Sequence, residues 1–320
     1  MKIKMVKGVY AYDIPPSITH GIEGVELIRI SEDPDSYKDF AGPEAVTVLI
    51  ARQGAVNDML QKFTNIKWLQ LLNSGYERVD LKLLRERNII FTNARSVYSK
   101  TIAEDVLAKI LILSRNYEIH FRNQQKCFWP DDSQLPNSNV DIYGRVLGIL
   151  GAGSIGREVA IRAKAFGMHV IGYDPYVTSS SGFDRIFNKP CKLAEVLKES
   201  DFVVASLPVT EETRNIMNKE SFSQMKRSAF FINVSRGDIV DETALVEALE
   251  NNIIRGAFID VCKEEPLPAG SPLWKTKNLL ITPHRAAYGD KMKQRMCALI
   301  ETNIHRYLAG EPLLDVVNYT

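Results

Sequence analysis

Residues 146–174 carry a pattern suited to holding phosphate groups. The apolar run Val146-Leu147-Gly148-Ile149-Leu150 has the composition of a buried parallel strand, Gly151-Ala152-Gly153-Ser154-Ile155-Gly156 follows at once, and a helical run occupies 159–166. Each glycine meets a separate demand: Gly151 permits the tight turn, Gly153 lets backbone approach a pyrophosphate with no Cβ in the way, and Gly156 lets the helix pack closely on the strand. The helix N-terminus adds free N–H groups and the positive end of its dipole, so Gly151, Gly153, Ser154, Ile155 and Gly156 are the expected contacts on this side. A glycine turn between strand and helix also occurs for packing alone. Against that plainer reading stands the second strand, 169–173, which ends in Asp174, 18 residues after Gly156 (174 − 156). A carboxylate there accepts hydrogen bonds from the adenosine ribose hydroxyls and repels the extra 2′-phosphate of NADP, and neither Pro175 nor Tyr176 brings a compensating cation. The expected cofactor is NAD.

A nicotinamide cofactor needs a carbonyl or alcohol beside its reactive carbon, a group that moves a proton, and a group that orients the substrate. Such residues belong at the carboxyl ends of strands. Three polar clusters stand there: Asn233-Val234-Ser235-Arg236-Gly237, Asp260-Val261-Cys262-Lys263-Glu264-Glu265-Pro266, and Thr282-Pro283-His284. Singly, each has an ordinary structural explanation: a solvated arginine turn, a surface charge run, and a structural histidine after proline.

These residues require two sets of parallel strands to position them. Over 25–93, β-branched runs at 46–51, 68–72 and 89–92 alternate with helical patterns at 56–63 and 81–87, which argues for crossover connections in a parallel sheet. Ile102, Val106, Ile110, Leu113 and Tyr117 then recur at helical spacing, predicting one long helix over 101–122 that leaves one domain for another. A loop rich in Asp, Pro, Asn and Ser covers 130–139. Six further strands are predicted at 146–150, 169–173, 202–206, 229–233, 257–261 and 279–282, a full doubly wound sheet. A last helix over 290–309 stops at Gly310, and 316–318 is expected to return as a strand to the first domain. The expected fold is therefore α/β in two domains: a doubly wound Rossmann-type NAD-binding domain over 99–289, and a smaller flavodoxin-like substrate domain over 1–98 and 290–320, with a cleft between them.

Composition narrows the partners. The chain has 320 residues, 45% hydrophobic and 25% charged, with a formal net charge of +1. That is ordinary for a two-domain globular enzyme. No basic block with interleaved aromatics is present, so neither nucleic acid nor an anionic membrane is expected as a partner. Residues 1–12 carry three lysines in an alternating pattern and do not read as a signal peptide, and no segment has the roughly 18 apolar residues of a membrane span. Cys127, Cys191, Cys262 and Cys297 are widely spaced, with neither a disulfide framework nor metal-ligand spacing. No metal is expected, and a cytoplasmic setting fits.

Taken in order, several blocks resemble those of the D-isomer-specific 2-hydroxyacid dehydrogenases, a family that includes glyoxylate, hydroxypyruvate and phosphoglycerate dehydrogenases. The blocks are Asn73-Ser74-Gly75 with Val79-Asp80, Ile102-Ala103-Glu104, Gly151 to Gly156, Leu207-Pro208 with Glu212-Thr213, Asn233 to Gly237 with Asp241, Asp260 to Pro266, and Thr282 to His284. The resemblance covers nearly the whole chain. It implies that Arg236 holds the substrate carboxylate and keto oxygen, a task suited to a planar cationic fork. His284 matches the acid-base histidine, and Glu265, directly before Pro266, matches the carboxylate that favours its imidazolium form and fixes its tautomer. Ser74 and Gly75 match a turn whose N–H groups meet the substrate carboxylate, with an ordinary strand-end turn as the alternative. Ile155, Leu207, Pro208, Thr213, Val234, Asp260 and His284 are placed near NAD, Asp260 on the carboxamide side of the nicotinamide. Two positions depart from the pattern: Ser206 stands where many relatives carry histidine, on the adenosine half, and Arg285 follows the histidine where many have a small or apolar residue. Arg285 is either a second cation for a longer acidic substrate or a residue facing solvent. Arg52, at the end of the 46–51 run, is a further cation of either kind.

The implied reaction is NAD-dependent interconversion of a small 2-keto acid and its D-2-hydroxy acid, carried by a homodimer in which the long helix and residues 128–139 supply contacts. Two rivals stand beside it: an NAD(H)-sensing corepressor-like regulator, and a phosphite-type dehydrogenase. Formate enzymes of this fold use glutamine beside the histidine, so Glu265 argues against formate.

Overall fold

The structure is a computed structural model and describes residues 6–12, 21–134 and 139–319. Residues 1–5 of the amino-terminal stretch and 135–138 of the expected loop lie outside the described residues. Two compact units divide the chain, Met1–Tyr98 with Gly289–Thr320, and Ser99–Tyr288.

The first unit is built on β1 (Val6–Tyr10), β2 (Val25–Arg29), β3 (Val48–Ala51), β4 (Trp68–Leu71) and β5 (Ile90–Thr92), with α1 (Val56–Lys62) and α2 (Leu81–Glu86) as crossovers. All four neighbouring pairs are parallel, in the order β2-β1-β3-β4-β5. This is the flavodoxin-type order, and its switch point lies between β1 and β3. The four residues of β3 and of β4 are all buried, which is why those runs read as apolar rather than alternating. Asp80 caps α2 by accepting from Leu83 N at 2.9 Å. β1 falls in the amino-terminal stretch, to which the sequence reading assigns no strand.

Helix α3 (Arg95–Ser114) begins six residues before the predicted start and ends eight before the predicted end; α4 (Tyr117–Gln125) follows separately. The early start has a cause in capping: Asn93 Oδ1 accepts from Arg95 N at 3.3 Å and Asp315 Oδ2 from Ser96 N at 3.0 Å. The break falls at Asn116, whose φ of +53° is left-handed and cannot continue a helix. Apolar spacing runs on across this residue, so periodicity alone merges the two helices.

The second unit contains β6 (Val146–Leu150), α5 (Ser154–Ala165), β7 (His169–Tyr173), β8 (Arg185–Phe187), α6 (Leu193–Glu199), β9 (Phe202–Ala205), α7 (Lys219–Gln224), β10 (Phe230–Asn233), α8 (Glu242–Glu250), β11 (Gly256–Ile259) and β12 (Leu279–Ile281). The sheet order is β12-β11-β10-β9-β6-β7-β8, parallel throughout, and the order reverses between β6 and β9. This is the doubly wound Rossmann pattern, with seven strands rather than the six expected. The additional strand, β8, is a three-residue edge beside a charged pair. Asp184 just before it accepts from Lys164 Nζ at 2.7 Å, which more than any other influence holds its carboxyl below the usual range, and from Val170 N at 2.7 Å, which ties the edge to β7.

Within this unit, α3 buries a charge. Lys109 is 1% exposed, forms an ion pair with Asp105 one turn earlier, and sets its ammonium 4.8 Å from the centre of the Phe258 ring.

The chain ends with α9 (Met292–Ala309) in the first unit, capped by left-handed Gly310. Its Asn303, fully buried, donates to Gln70 Oε1 at 2.9 Å and accepts from Leu314 N at 2.7 Å; Thr92 Oγ1 donates to the same Gln70 oxygen at 2.9 Å. This buried network docks the helix on β4 and β5. Residues 316–318 do not form the expected strand: Val316 makes one antiparallel bridge to Thr92 and no ladder follows. Among the described residues no helix is long and apolar enough to cross a membrane.

Candidate active site

The glycine turn joins β6 to α5 as its residues require. Gly151 has φ +103° and lies 3.0 Å, measured from an added Cβ, from Leu207 N; at Gly156 an added Cβ would stand 2.0 Å from Gly151 O. Gly153 differs, since nothing lies within 4 Å of an added Cβ there. It is the N-cap of α5 and offers no side-chain cap, so the first N–H groups of the helix, at half-buried Ser154 and Ile155 and at Gly156, lack a side-chain partner. Such an open, uncapped terminus is fit to receive an anion.

Asp174, 8% exposed at the end of β7, spends most of its carboxylate on this loop: Oδ2 accepts from Ala152 N at 2.9 Å, and Oδ1 from Tyr176 N at 2.9 Å and Val177 N at 3.1 Å. A carboxylate has about four acceptor positions, so one on Oδ2 remains for a ribose hydroxyl. After β9, Ser206 donates to Gly151 O at 3.0 Å and thereby fastens the turn, Leu207 is buried, and Pro208 is exposed. Thr213 donates to Pro208 O at 2.6 Å and fixes that loop.

The three polar clusters stand at the carboxyl ends of adjacent strands β10, β11 and β12. After β10, Asn233 Oδ1 accepts from Ser235 N at 3.1 Å and its Nδ2 donates to Arg236 O at 2.9 Å, an Asx turn that sets the half-buried Arg236 beyond buried Val234. Arg236 donates to Ser235 O at 2.7 Å. Gly237 packs so tightly that an added Cβ would stand 2.0 Å from the carbonyl carbon of Cys262, so the arginine turn and the carboxylate turn are in direct contact.

Beyond β11, Glu265 precedes a cis proline, accepts from Cys262 N at 3.0 Å through Oε1, and meets His284 Nδ1 at 2.7 Å through Oε2. An ionised carboxylate only accepts, so Nδ1 donates and Nε2 is left to exchange a proton. The histidine and glutamate side chains are 47% and 39% exposed, open enough to meet a substrate. Glu264 has no such partner role. Burial first, then the charges of Glu242, Glu265 and Asp260, push the Cys262 thiol up to about 11, so it stays protonated at neutral pH and is no nucleophile.

Asp260 is 1% exposed and accepts from Thr282 Oγ1 at 2.6 Å, Arg285 N at 2.9 Å and Ala286 N at 2.9 Å. Arg285 stacks its guanidinium 4.1 Å above the Tyr288 ring, with both residues exposed. Sequence reasoning named Thr282 and Asn233 within the polar clusters but gave neither a role of its own, although each shows the usual signal of a residue that shapes a turn: a short polar side chain on the last residue of an apolar run or just beyond it.

In the first unit, Ser74 and Gly75 follow β4 and are half-buried; Asn93 Nδ2 donates to Ser74 O at 2.7 Å. Arg52 lies 3.9 Å from Glu32 and over the Tyr12 ring at 5.7 Å.

Residues 107–286 match the NAD-binding domain of the D-isomer specific 2-hydroxyacid dehydrogenases. The chain is 35% identical over 249 residues to a glyoxylate reductase of Korarchaeum cryptofilum, covering 76% of this chain and 74% of that one. It is 34% identical over 307 residues to the D-3-phosphoglycerate dehydrogenase of Methanocaldococcus jannaschii, covering 94% of this chain and 55% of that enzyme, so it spans little more than half the length of that relative. A D-isomer specific 2-hydroxyacid dehydrogenase from Xanthobacter autotrophicus, solved with NADPH and MES, superposes with a TM-score of 0.80 at 28% identity, over 98% of each chain. Sheet order, glycine turn and relatives agree: this chain belongs to the D-isomer specific 2-hydroxyacid dehydrogenase family.

Proposed function

We propose that the protein reduces a small 2-keto acid to its D-2-hydroxy acid with NADH, and catalyses the reverse oxidation with NAD. The observation that carries this reading is the bond of 2.7 Å between His284 Nδ1 and Glu265 at the strand end beside Arg236. A bound nicotinamide supplies or accepts the hydride. The protein's own residues do the rest. Arg236 holds the carboxylate and keto oxygen, and His284 gives the Nε2 proton to the oxygen as negative charge develops there. Glu265 keeps the ring oriented by accepting from Nδ1, which leaves Nε2 to carry that proton.

The cofactor half fits the same reading. Gly151 to Gly156 with Ser154 and Ile155 would cradle the pyrophosphate; Ser206, Leu207, Pro208, Thr213 and Val234 would line the remainder. Asp174 supports NAD over NADP because its buried charge opposes a 2′-phosphate. The solved relative that holds NADPH makes this preference a matter for measurement. A homodimer is part of the proposal, since α4 and the segment after it expose Phe121, Phe128 and Trp129.

The test is oxidation of NADH and NADPH in the presence of glyoxylate, hydroxypyruvate, pyruvate and branched 2-keto acids. Turnover with at least one acid, with NADH favoured about tenfold or more over NADPH, is expected from one buried opposing charge. A folded, nucleotide-binding protein that turns over none of them would refute the proposal.

A further inference from the structure

The turn carrying His284 is unusual in its backbone and in what closes it. His284 has φ +53°, a left-handed conformation that residues with side chains seldom adopt and that the surroundings must impose. Those surroundings centre on one residue, Asp260, although His284 N also reaches Thr282 O at 3.0 Å. Asp260 Oδ1 accepts from Thr282 Oγ1 at 2.6 Å and from Arg285 N at 2.9 Å, Oδ2 accepts from Ala286 N at 2.9 Å, and the Asp260 carbonyl accepts from His284 N at 2.7 Å. The side-chain bonds thus bracket the histidine on both sides. Arg285 is exposed, so water could serve its amide; a carboxylate 1% exposed serves it instead, together with the amide of buried Ala286. Keeping an ionised group buried is costly unless its bonds are good, and an acceptor that takes several donors at once is what a strained turn needs.

We propose that Asp260 is a positioning residue for His284. Its carboxylate, through Thr282 and the amides of Arg285 and Ala286, fixes the left-handed turn that holds the imidazole on Glu265 and aims Nε2 at the substrate oxygen. The resemblance gives Asp260 to the nicotinamide carboxamide; three of its acceptor positions are committed to the turn, and the one remaining on Oδ2 leaves the two roles compatible. This inference rests on the reading of His284 as the proton donor.

Thr282 gives the clean test, because it reaches Asp260 and carries no assigned role toward the cofactor. Thr282→Val keeps shape and deletes the donor; Thr282→Ser keeps the hydroxyl. Three quantities are compared in the full-length protein: kcat, NADH affinity by fluorescence titration, and the His284 ring C–H resonances, identified by their loss in His284→Gln. Thr282→Val is expected to lower kcat about tenfold, with NADH affinity within about twofold of wild type and displaced His284 resonances; Thr282→Ser should match wild type in all three. Asp260→Asn, which keeps size and removes charge, is expected to lower kcat about a hundredfold. Unchanged kcat and resonances in Thr282→Val would overturn the proposal. So would equal losses of kcat, NADH affinity and melting temperature in both threonine variants, which would mark an ordinary structural contact. If wild-type protein reduces no 2-keto acid, the proposed activity fails on its own, while the resonances still decide whether Asp260 positions the ring.

Discussion

His284→Ala is expected to lower kcat for 2-keto acid reduction by about 10³, with NADH affinity kept within about twofold. The first part follows from the role of a positioned acid, which contributes 10² to 10⁴ when no other group can deliver the proton, equivalent to about 4 kcal/mol of barrier at 10³. The second follows from geometry. The ring's one bond at 2.7 Å is to Glu265, and the turn around it is closed by Asp260 rather than by the imidazole, so truncation leaves the glycine turn and its surroundings untouched. Glu265→Gln should fall between wild type and His284→Ala, because an amide oxygen still accepts from Nδ1 but the amide can also turn its NH2 to the ring, so the orientation is less firmly fixed. Steady-state kinetics with a parallel NADH titration checks both. Equal loss of turnover and of NADH affinity in His284→Ala would mean that the histidine serves the cofactor, not the proton.

The largest effect on stability is expected from Lys109→Met. The substitution keeps most of the volume but leaves Asp105 without its partner in a unit where burial, ahead of every other influence, already raises its carboxyl above the usual range, and where the charge of Asp260 raises it further. Removing one member of a buried pair costs about 3 to 5 kcal/mol, a drop of about 10 °C in melting temperature for a unit of this size. The pH dependence has a definite sign. A carboxyl with a raised folded-state pKa favours the folded protein when protonated, so the deficit of Lys109→Met should shrink as pH falls through that range and grow as it rises. Asp105→Leu combined with Lys109→Met should recover most of the loss, since an apolar pair of similar volume removes the stranded charge. Thermal melts of the single and double variants across pH check this; a single variant as stable as wild type would contradict it.

Much of this architecture was legible in the residues because the same physical demand writes both. Strands buried on two faces read as continuous apolar runs, and the runs at β6 and β7 were placed to the residue. The glycine turn was legible because Gly151 and Gly156 each have a backbone neighbour that excludes a Cβ. What escaped reading depends on contacts distant in sequence. β8 is a strand because Asp184 and three residues pair with β7, not because of its composition. Helix α3 starts early because Asp315, over 200 residues away, caps it. Asn116 divides a helical pattern through one backbone angle that periodicity does not register. At the site, Glu265 and His284 were named by resemblance, and the bond joining them is a matter of geometry. Asp260 shows the limit most plainly: its place near the nicotinamide was inferred, whereas its grip on the histidine turn required the fold.

The central claim is that hydride passes to C2 of a 2-keto acid on the face that gives the D product. It is tested most directly by supplying NADH with deuterium at C4 in place of the transferred hydrogen, together with the best 2-keto acid, and examining the product by mass spectrometry and chiral chromatography. The account predicts a 2-hydroxy acid of D configuration carrying one deuterium at C2. A product of L configuration, or one without deuterium, would contradict it.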